Sequence, residues 1–509
     1  MSLNQSMNIS LGSMKNNQYA LTVVAQNIAN LNVEGYHRQR VEFTTNRYTT
    51  DCENVIQTIK GMNGASVSKL SDFIDKGVFD DLINSNSDAN YYNSLADALG
   101  GLEDIANDLG DDGLNKLLGD FFSASSKLEQ FPSDLSIRQQ YVMAAQNVCE
   151  KFNDISKKYD NIEQEKFDNI AYDVDTINGL ISDLAKINQE HVKNGQTAET
   201  QNQINNILQE LSNYMDVSYD QNSNGTYNLY ISGIEVVSGS KQLYTLQYEK
   251  TTDQNSPLKF SLKSVDNENY IIEKGVNDSF KSGSLRATLD FLNGTNESFA
   301  NLNNYKIAIN SAAKAFATEL NKIQTYDGQD GFAASMSTDA NGNFILEKST
   351  VNMLVSSDGG EVNAGNIKVN SEIINNAYLV AASRIKYNPD GSTPNNWEKA
   401  IGNSDNAVEI TNLQNKKICS MGGRQNNATL SQFLINNAAK TGLDVKNIEK
   451  KASTYQDIAD SAGTNFSNIV GVNVDEELSD MIKFQRAYEA SAKLFSTING
   501  LMETIISMV

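Results

Sequence analysis

The sequence predicts a mainly α-helical chain. Long helices form a coiled-coil or bundle rod, both termini are paired, and small β-rich domains are inserted. Three observations carry this expectation. Apolar residues recur at steps of three and four over long stretches, including both ends of the chain. Only 4 of 509 residues are proline, so long helices run with few breaks. In two central stretches, about Val217 to Lys274 and about Gly328 to Val369, the sequence reads as β-rich; apolar residues in the first alternate with a period of two.

At the N-terminus the seam is Met7, Leu11, Met14, Leu21, Ala25 and Ile28, with Gln18 filling one slot. So narrow a stripe suits a coiled-coil partner better than a globular core. Asn8, Asn16, Asn17, Gln26 and Asn27 lie on the other face. Asn is a mediocre helix former, so this helix is weak alone and needs a partner. It is predicted to end near Glu34 and Gly35, where glycine can take the left-handed cap. Residues 43–85 read as irregular, with one extended pair near Ala65–Leu70.

A helical block follows from about Asp88 to Met215, broken at Gly110-Asp111-Asp112-Gly113 and at Phe131-Pro132-Ser133-Asp134. Ser133 or Asp134 caps a helix of roughly 55 residues, about 80 Å long at 1.5 Å per residue. Its stripe is Val148, Phe152, Ile155, Tyr159 and Ile162, resuming at Ile170, Val174, Ile177, Ile181 and Leu184. The doubled step of four between Ile162 and Ile170 is a stutter, which locally unwinds a supercoil. The first β stretch reads as about five strands, and Asn341-Gly342 reads as a hairpin turn in the second. Helical periodicity returns at Leu285–Ile323, about Asn396–Leu413 and Leu430–Ser467.

The last helix carries Leu478, Met481, Tyr488, Phe495, Ile498, Met502, Ile505 and Val509, with Gln485 and Ala492 in the remaining slots. Asp475, Glu476 and Glu477 fall in its first turn, where carboxylates face the helix dipole favourably. Two seams at opposite ends, each lacking a partner, are expected to pair with each other. The domain reading is therefore 1–35 with 470–509 as the terminal coiled-coil region. A helical rod comprises 36–216 with 280–325 and 396–469. Residues 217–279 form an inserted β domain and 326–395 a second β-rich insertion.

Lys and Arg total 41 against 63 Asp and Glu, a net charge of −22. That excludes nucleic acid and an anionic membrane surface as partners. No apolar run is long enough to span a bilayer, and the first residues lack the basic and apolar regions of a secretory signal. Taken alone, this reads as cytoplasmic. His37 and His191 are the only histidines, so acid–base and zinc chemistry have little to work with. Cys52, Cys149 and Cys419 are far apart and form no CxxC. Asp220 to Gly225 mimics the opening of a calcium loop, but position twelve is Ile231 where a bidentate Glu is needed; a hairpin turn explains it better. Asp80-Asp81 and Asp111-Asp112 read as a helix end and a solvated loop, and Trp397 as core. No nucleophile, phosphate-loop or metalloprotease motif occurs. No cofactor and no enzymatic activity are expected.

At the termini the residues themselves, and not only their spacing, carry a resemblance. Ala25-Gln26-Asn27-Ile28-Ala29-Asn30 followed by Gly35-Tyr36-His37-Arg38-Gln39 resembles the N-terminal signature of bacterial flagellar axial proteins. Val470 to Leu478, with Asn473, Asp475, Glu476 and Glu477, and then Phe484-Gln485-Arg486-Ala487-Tyr488, is similar to the C-terminal one. Inside the chain, Asp120-Phe121-Phe122-Ser123-Ala124, Pro132 to Leu135 with Arg138-Gln139, and Gly283 to Phe291 resemble the hook-associated protein 1 (FlgK) family. Glu34 stands where that family often has Pro.

The resemblance implies a structural part of the flagellum that joins the flexible hook to the filament by self-assembly through its terminal helices. It implies ring-forming copies, with hook protein and the second junction protein as neighbours. It also implies export without a cleaved signal, terminal helices largely disordered before assembly, and the export chaperone FlgN at the C-terminus. The other reading left open is another axial protein: the second junction protein, a hook subunit or a rod subunit. The interior segments discriminate between the two. A surface enzyme or adhesin would need a recognisable site within 217–395, and none is seen.

Overall fold

The computed structural model describes residues 3–31, 36, 38–48, 61–72, 76–106, 113–195, 197–251, 257–267, 269–273, 276, 280–294, 301–421 and 424–507. Gly35, His37, Cys52, Asp111, Asp112 and Val509 lie outside them. The fold is mainly helical, with several small antiparallel sheets.

Helix α1 (Leu3–Ala29) is followed by an antiparallel hairpin of β1 (Gln39–Tyr48) and β2 (Gly61–Asp72). The helix stops earlier than predicted. The Asn27 side chain bonds both the Gln39 carbonyl and the Gln39 N–H, so the chain must leave the helix to return past it. Helix α2 (Lys76–Ala106) starts a dozen residues before the predicted Asp88. Within the stretch 43–85, the described residues 43–48 and 61–72 are therefore paired strands, the second covering the extended pair expected near Ala65–Leu70, and 76–85 are the first turns of a helix rather than irregular chain. The sequence signal was weak there because Phe79, Leu82 and Ile83 are diluted by Asp, Asn and Ser, which compete for backbone hydrogen bonds. Ser85, Ser87 and Ala89 occupy the buried face of α2 where large apolar residues were sought.

Helix α3 (Leu114–Gln130) leads through Pro132 to α4 (Leu135–Asn194), a single helix of 60 residues. At 1.5 Å per residue it is about 90 Å long. Asp134 caps it: its Oδ1 accepts from the N–H groups of Ser136 at 2.7 Å and Ile137 at 3.3 Å. In the predicted stutter, half-buried Glu163 and buried Phe167 continue the stripe from Tyr159 to Ile170. The carboxylate of Glu163 takes Lys306 Nζ at 2.9 Å. Helix α5 (Ala198–Tyr214) packs back on α4 and α2.

Lobe 1, residues 218–272, has two sheets. One runs β3 (Ser218–Gln221), β4 (Tyr227–Ile231), β5 (Ile234–Ser238), β6 (Lys241–Gln242); the other runs β7 (Tyr244–Lys250), β8 (Leu258–Ser264), β9 (Ile271–Ile272). Among the described residues there are seven strands where about five were predicted, because β6 and β9 are two residues each and show no alternation. The calcium-loop mimic is the β3–β4 turn. Asn222 N–H donates to the Thr226 carbonyl at 2.8 Å, Gly225 sits at φ +85°, and Ile231 is a buried strand residue.

Helices α6 (Gly283–Asn293) and α7 (Leu302–Gln324) return the chain to the rod. Lobe 2, residues 327–386, holds β10 (Asp327–Gly328), β11 (Gly331–Thr338), β12 (Phe344–Lys348), β13 (Leu354–Ser356), β14 (Ile367–Val369), α8 (Ser371–Asn375) and β15 (Ser383–Lys386). Strand β15 pairs with β11 on the side away from β12. The β11–β12 turn contains Asn341-Gly342, with Asp339 accepting two backbone N–H groups at 2.8 Å. Trp397 meets Phe332 edge-on at 4.9 Å over the small core of this sheet. Then come α9 (Asp405–Asn412), a short pair β16 (Cys419–Met421) and β17 (Arg424–Ala428), α10 (Leu430–Val470) and α11 (Val474–Ser507). Helix α10 lies along α2, with Tyr455 stacked on Tyr92 at 4.5 Å and Phe466 against Phe79 at 5.6 Å.

Asparagines fasten both lobes to the rod helices. Asn178 and Asn188 of α4 hold Leu246 and Tyr227, Asn293 of α6 holds Leu258, and Asn321 of α7 holds Leu354. In each case the amide takes both the N–H and the carbonyl of the strand residue, as a neighbouring β-strand would. At the base of lobe 2 the fully buried guanidinium of Arg138 is bound by the carbonyls of Pro132, Tyr378 and Val380 at 2.6, 3.1 and 2.7 Å. That explains why an Arg stands four residues into the longest helix.

Candidate functional site: the paired terminal helices

Helices α1 and α11 pack along each other in antiparallel fashion. Ser10 Oγ donates to the Ser491 carbonyl at 2.6 Å, Ser13 and Ser491 hydroxyls are 2.9 Å apart, and Asn27 reaches Glu477. The termini are therefore paired as helices within one chain. The face of α1 used for this is not the predicted one. Buried Ser10, Ala20, Val24 and Asn27, with half-buried Ser13 and Asn17, alternate steps of three and four. This stripe is offset by one residue, about 100°, from the predicted seam. Small and polar side chains let the two helices approach closely, and serine hydroxyls satisfy each other across the contact.

The predicted seam residues of α1 flank that contact, whereas most of those of α11 lie on its covered face. Met7, Met14, Leu21 and Ile28 are half-buried, whereas Leu11 and Ala25 are exposed. On α11, Ile498 is buried and Met481, Tyr488, Phe495 and Met502 are half-buried. Leu478 and Ile505 are exposed, at 45% and 50%. Ile482, Leu494 and Leu501 join them as large apolar residues facing solvent. Phe484 packs against Phe43 of the hairpin at 6.3 Å, a contact absent from the sequence reading. Serine at positions 10 and 13, followed by Ala20 and Val24 at heptad spacing, was the signal that could have found the true contact face.

At one end of the pair the motif residues converge. Glu477 is 1% exposed. Its Oε1 accepts Arg38 Nε at 2.6 Å and its Oε2 accepts Asn27 Nδ2 at 3.0 Å. Arg38 also binds Glu476, and its Nη2 lies 3.7 Å from Asp480. The other side of Asn27 is filled by Tyr36, whose hydroxyl donates to Oδ1 at 2.9 Å, and by the Gln39 N–H at 3.0 Å. Arg38 N–H closes the cluster on the last carbonyl of α10, Val470, at 2.9 Å. Asn473 caps α11: its Oδ1 accepts from the N–H groups of Asp475 at 3.0 Å and Glu476 at 3.4 Å. Burial alone would lower the Arg38 pKa. The Glu477 and Glu476 carboxylates outweigh it, and the pKa lies above its ordinary value.

Asn27, Tyr36, Arg38, Gln39, Asn473, Glu476 and Glu477 thus form one latch between the two ends of the chain. Asp475 is exposed in the first turn of α11, half-buried Asn30 closes the last turn of α1, and exposed Gln485 faces Glu489 on its own helix. Such a cluster holds geometry and offers no reacting group. Among the described residues, no three His, Cys, Asp or Glu side chains are placed to hold a metal, and no helix is long and apolar enough to cross a membrane.

Comparison with known proteins matches three stretches of the chain. Residues 99–336 match the model of the flagellar hook-associated protein FlgK helical domain. Residues 7–37 match the flagella basal body rod protein model, and 464–508 that of the flagellar basal body rod FlgEFG protein C-terminal region. Flagellar hook-associated protein 1 of Bacillus subtilis is 24% identical, over 96% of this chain and 95% of the relative. The protein of that name from Salmonella typhimurium is 21% identical over 99% of both chains. The structure of the flagellar hook junction protein FlgK from Burkholderia pseudomallei superposes with a TM-score of 0.59 at 12% identity, covering 76% of this chain and 99% of that one. With its helical rod, its latched termini and near full-length similarity to these relatives, the chain belongs to the flagellar hook-associated protein 1 (FlgK) family.

Proposed function

We propose that the chain is a structural, non-enzymatic component of the bacterial flagellum that joins hook to filament by self-assembly through its terminal helices. The observation that carries this is the latched pair itself. The motif residues fix α1 against α11, while Leu11, Leu478, Ile482, Leu494, Leu501 and Ile505 stay in water beside the contact. Covering each of these half-exposed side chains contributes about 1 kcal/mol. Neighbours that bury these side chains therefore stabilise the pair by mass action.

The interface to the next copy is heterologous, because an axial stack needs different patches on its two sides. Residues 1–35 with 470–509 act as the assembly region, the helical segments as the rod, and the two lobes as attachments to it. Hook protein and the second junction protein are the neighbours along the axis. Export without a cleaved signal precedes assembly, and the exposed apolar residues of α11 are the surface the chaperone FlgN covers. The match of 99–336 to the helical-domain model favours this over a hook or rod subunit, whose models match only the ends.

The test is complementation of a deletion strain by the full chain and by one lacking residues 475–509. The full chain is expected to restore motility and retain filaments. The truncated chain is expected to fold its rod yet shed filament protein into the medium. Normal filaments on the truncated chain would refute the terminal-helix mechanism.

A further inference from the structure

Two of the three asparagines that fasten lobe 1 are followed by glycine: Asn178-Gly179 in α4 and Asn293-Gly294 at the end of α6. Asn178 Nδ2 donates to the Leu246 carbonyl and its Oδ1 accepts the Leu246 N–H, both at 2.8 Å. Asn293 Nδ2 donates to the Leu258 carbonyl at 2.7 Å and its Oδ1 accepts the Leu258 N–H at 3.0 Å. Leu246 and Leu258 are buried and sit on adjacent strands β7 and β8. One sheet of lobe 1 is therefore gripped from two helices at once. Each grip needs a donor and an acceptor on the same side chain, which an amide has and a carboxylate lacks.

We propose that Asn178 and Asn293 are deamidation sites whose reaction is suppressed by the folded clamps and whose product prevents lobe 1 from seating on the rod. In an extended chain the backbone nitrogen of the following glycine attacks the side-chain Cγ. A C–N bond forms to close a five-membered imide, the Cγ–Nδ2 bond breaks, and ammonia leaves. Water then opens the imide at either carbonyl, leaving aspartate or isoaspartate, with no change of oxidation state. Glycine offers no Cβ to hinder the attack, which makes these two positions the chemically susceptible ones among the clamps.

In the folded chain the same atoms are occupied. Gly179 lies inside α4, Gly294 N–H donates to the Asp290 carbonyl at 3.2 Å, and both side-chain amides are held by strand backbone. The product fails for a physical reason. A carboxylate at 178 or 293 sets a negative oxygen against a carbonyl oxygen at hydrogen-bond distance, in a buried site at 293 and a half-buried one at 178. Asn188, the third clamp of lobe 1, precedes Gln189 and lacks this liability. Asn341-Gly342 is exposed in the β11–β12 turn and has no clamp to a strand among the described contacts, so it serves as an internal reference.

The experiment ages the full chain at mildly alkaline pH, folded and in denaturant, and reads each Asn-Gly peptide by mass spectrometry. In denaturant, residues 178, 293 and 341 are expected to convert at similar rates. In the folded chain, 178 and 293 are expected to convert at least about tenfold more slowly than 341, since only local opening releases them. Conversion of 178 and 293 as fast as 341 in the folded chain, or their failure to convert in denaturant, would overturn the proposal. Hydrogen exchange of Asn178→Asp and Asn293→Asp chains tests the product separately. Amides of β7 and β8 are expected to lose protection while Tyr141–Ile155 of the rod keeps it. Should Asn293→Asp fail to fold, Asn178→Asp alone decides. Unchanged protection in β7 and β8 would overturn the claim that the acid cannot seat.

Discussion

Glu477→Ala removes the acceptor at the centre of the latch. Two hydrogen bonds go, one from Arg38 Nε at 2.6 Å and one from Asn27 Nδ2 at 3.0 Å. A hydrogen bond to a charged group contributes about 1.5–3 kcal/mol and a neutral donor left behind costs about 1. The loss is softened on both sides. Arg38 keeps Glu476 and Asp480, its side chain is 14% exposed, and Asn27 Nδ2 keeps the Gln39 carbonyl. The net cost is then about 2–3 kcal/mol for opening α1 from α11. At 1.36 kcal/mol per tenfold, exchange of the amides in Val23–Asn27 and Leu478–Phe484 should accelerate about 30- to 150-fold. Glu477→Gln keeps an acceptor for Arg38 and loses only the charge, so its effect should be smaller. Hydrogen exchange read by mass spectrometry on the dilute monomer is the assay. The amides of α4 are the internal control. Unchanged exchange at the latch in Glu477→Ala would refute the claim that the motif residues hold the termini together.

Asp134→Ala should destabilise the rod by about 1 kcal/mol through loss of the α4 cap, seen as a lower denaturant midpoint at constant m. Glu319 accepts Lys416 Nζ at 2.7 Å and Lys322 Nζ at 2.5 Å. Burial raises its pKa, but bonding to the two lysines outweighs that and holds it below the ordinary 4.5. Its contribution is therefore present above the unfolded value and lost as pH falls through the folded one. The melting difference between Glu319→Gln and the parent should shrink on acidification below about pH 4.5. Burial pushes the Cys149 thiol up to about 12 and the Cys419 thiol up to about 11. Neither should react measurably with iodoacetamide in the folded chain at pH 8, and both should react in denaturant.

The long helices were legible because a sustained apolar stripe over 60 residues leaves no competing reading, and even the stutter near Ile162 showed as a break in step. The start of α2 was not, because after Phe79, Leu82 and Ile83 its buried face continues through Ser85, Ser87 and Ala89, and small residues give no periodic signal. The same blindness hid the contact face of α1. The eye follows Met7, Leu11 and Met14, yet close packing within one chain is made by Ser10, Ser13 and Ala20, one position round the helix. The latch residues were found only as a resemblance. Asn27, Arg38 and Glu477 are 450 positions apart at the extremes, and nothing local announces that they meet. The asparagine clamps left no signal either. Asn counts against a helix on propensity, and its value at 178, 188, 293 and 321 lies in a strand the sequence does not place beside it.

The most direct test of assembly through the uncovered apolar residues is the amount of filament protein retained by cells whose chain carries Leu478→Asp and Ile482→Asp. Both side chains face water in the single chain, at 45% and 54% exposure, so the purified variant should melt like the parent. The account predicts that such cells lose motility and release filament protein into the medium. Motile cells with full-length filaments would contradict it.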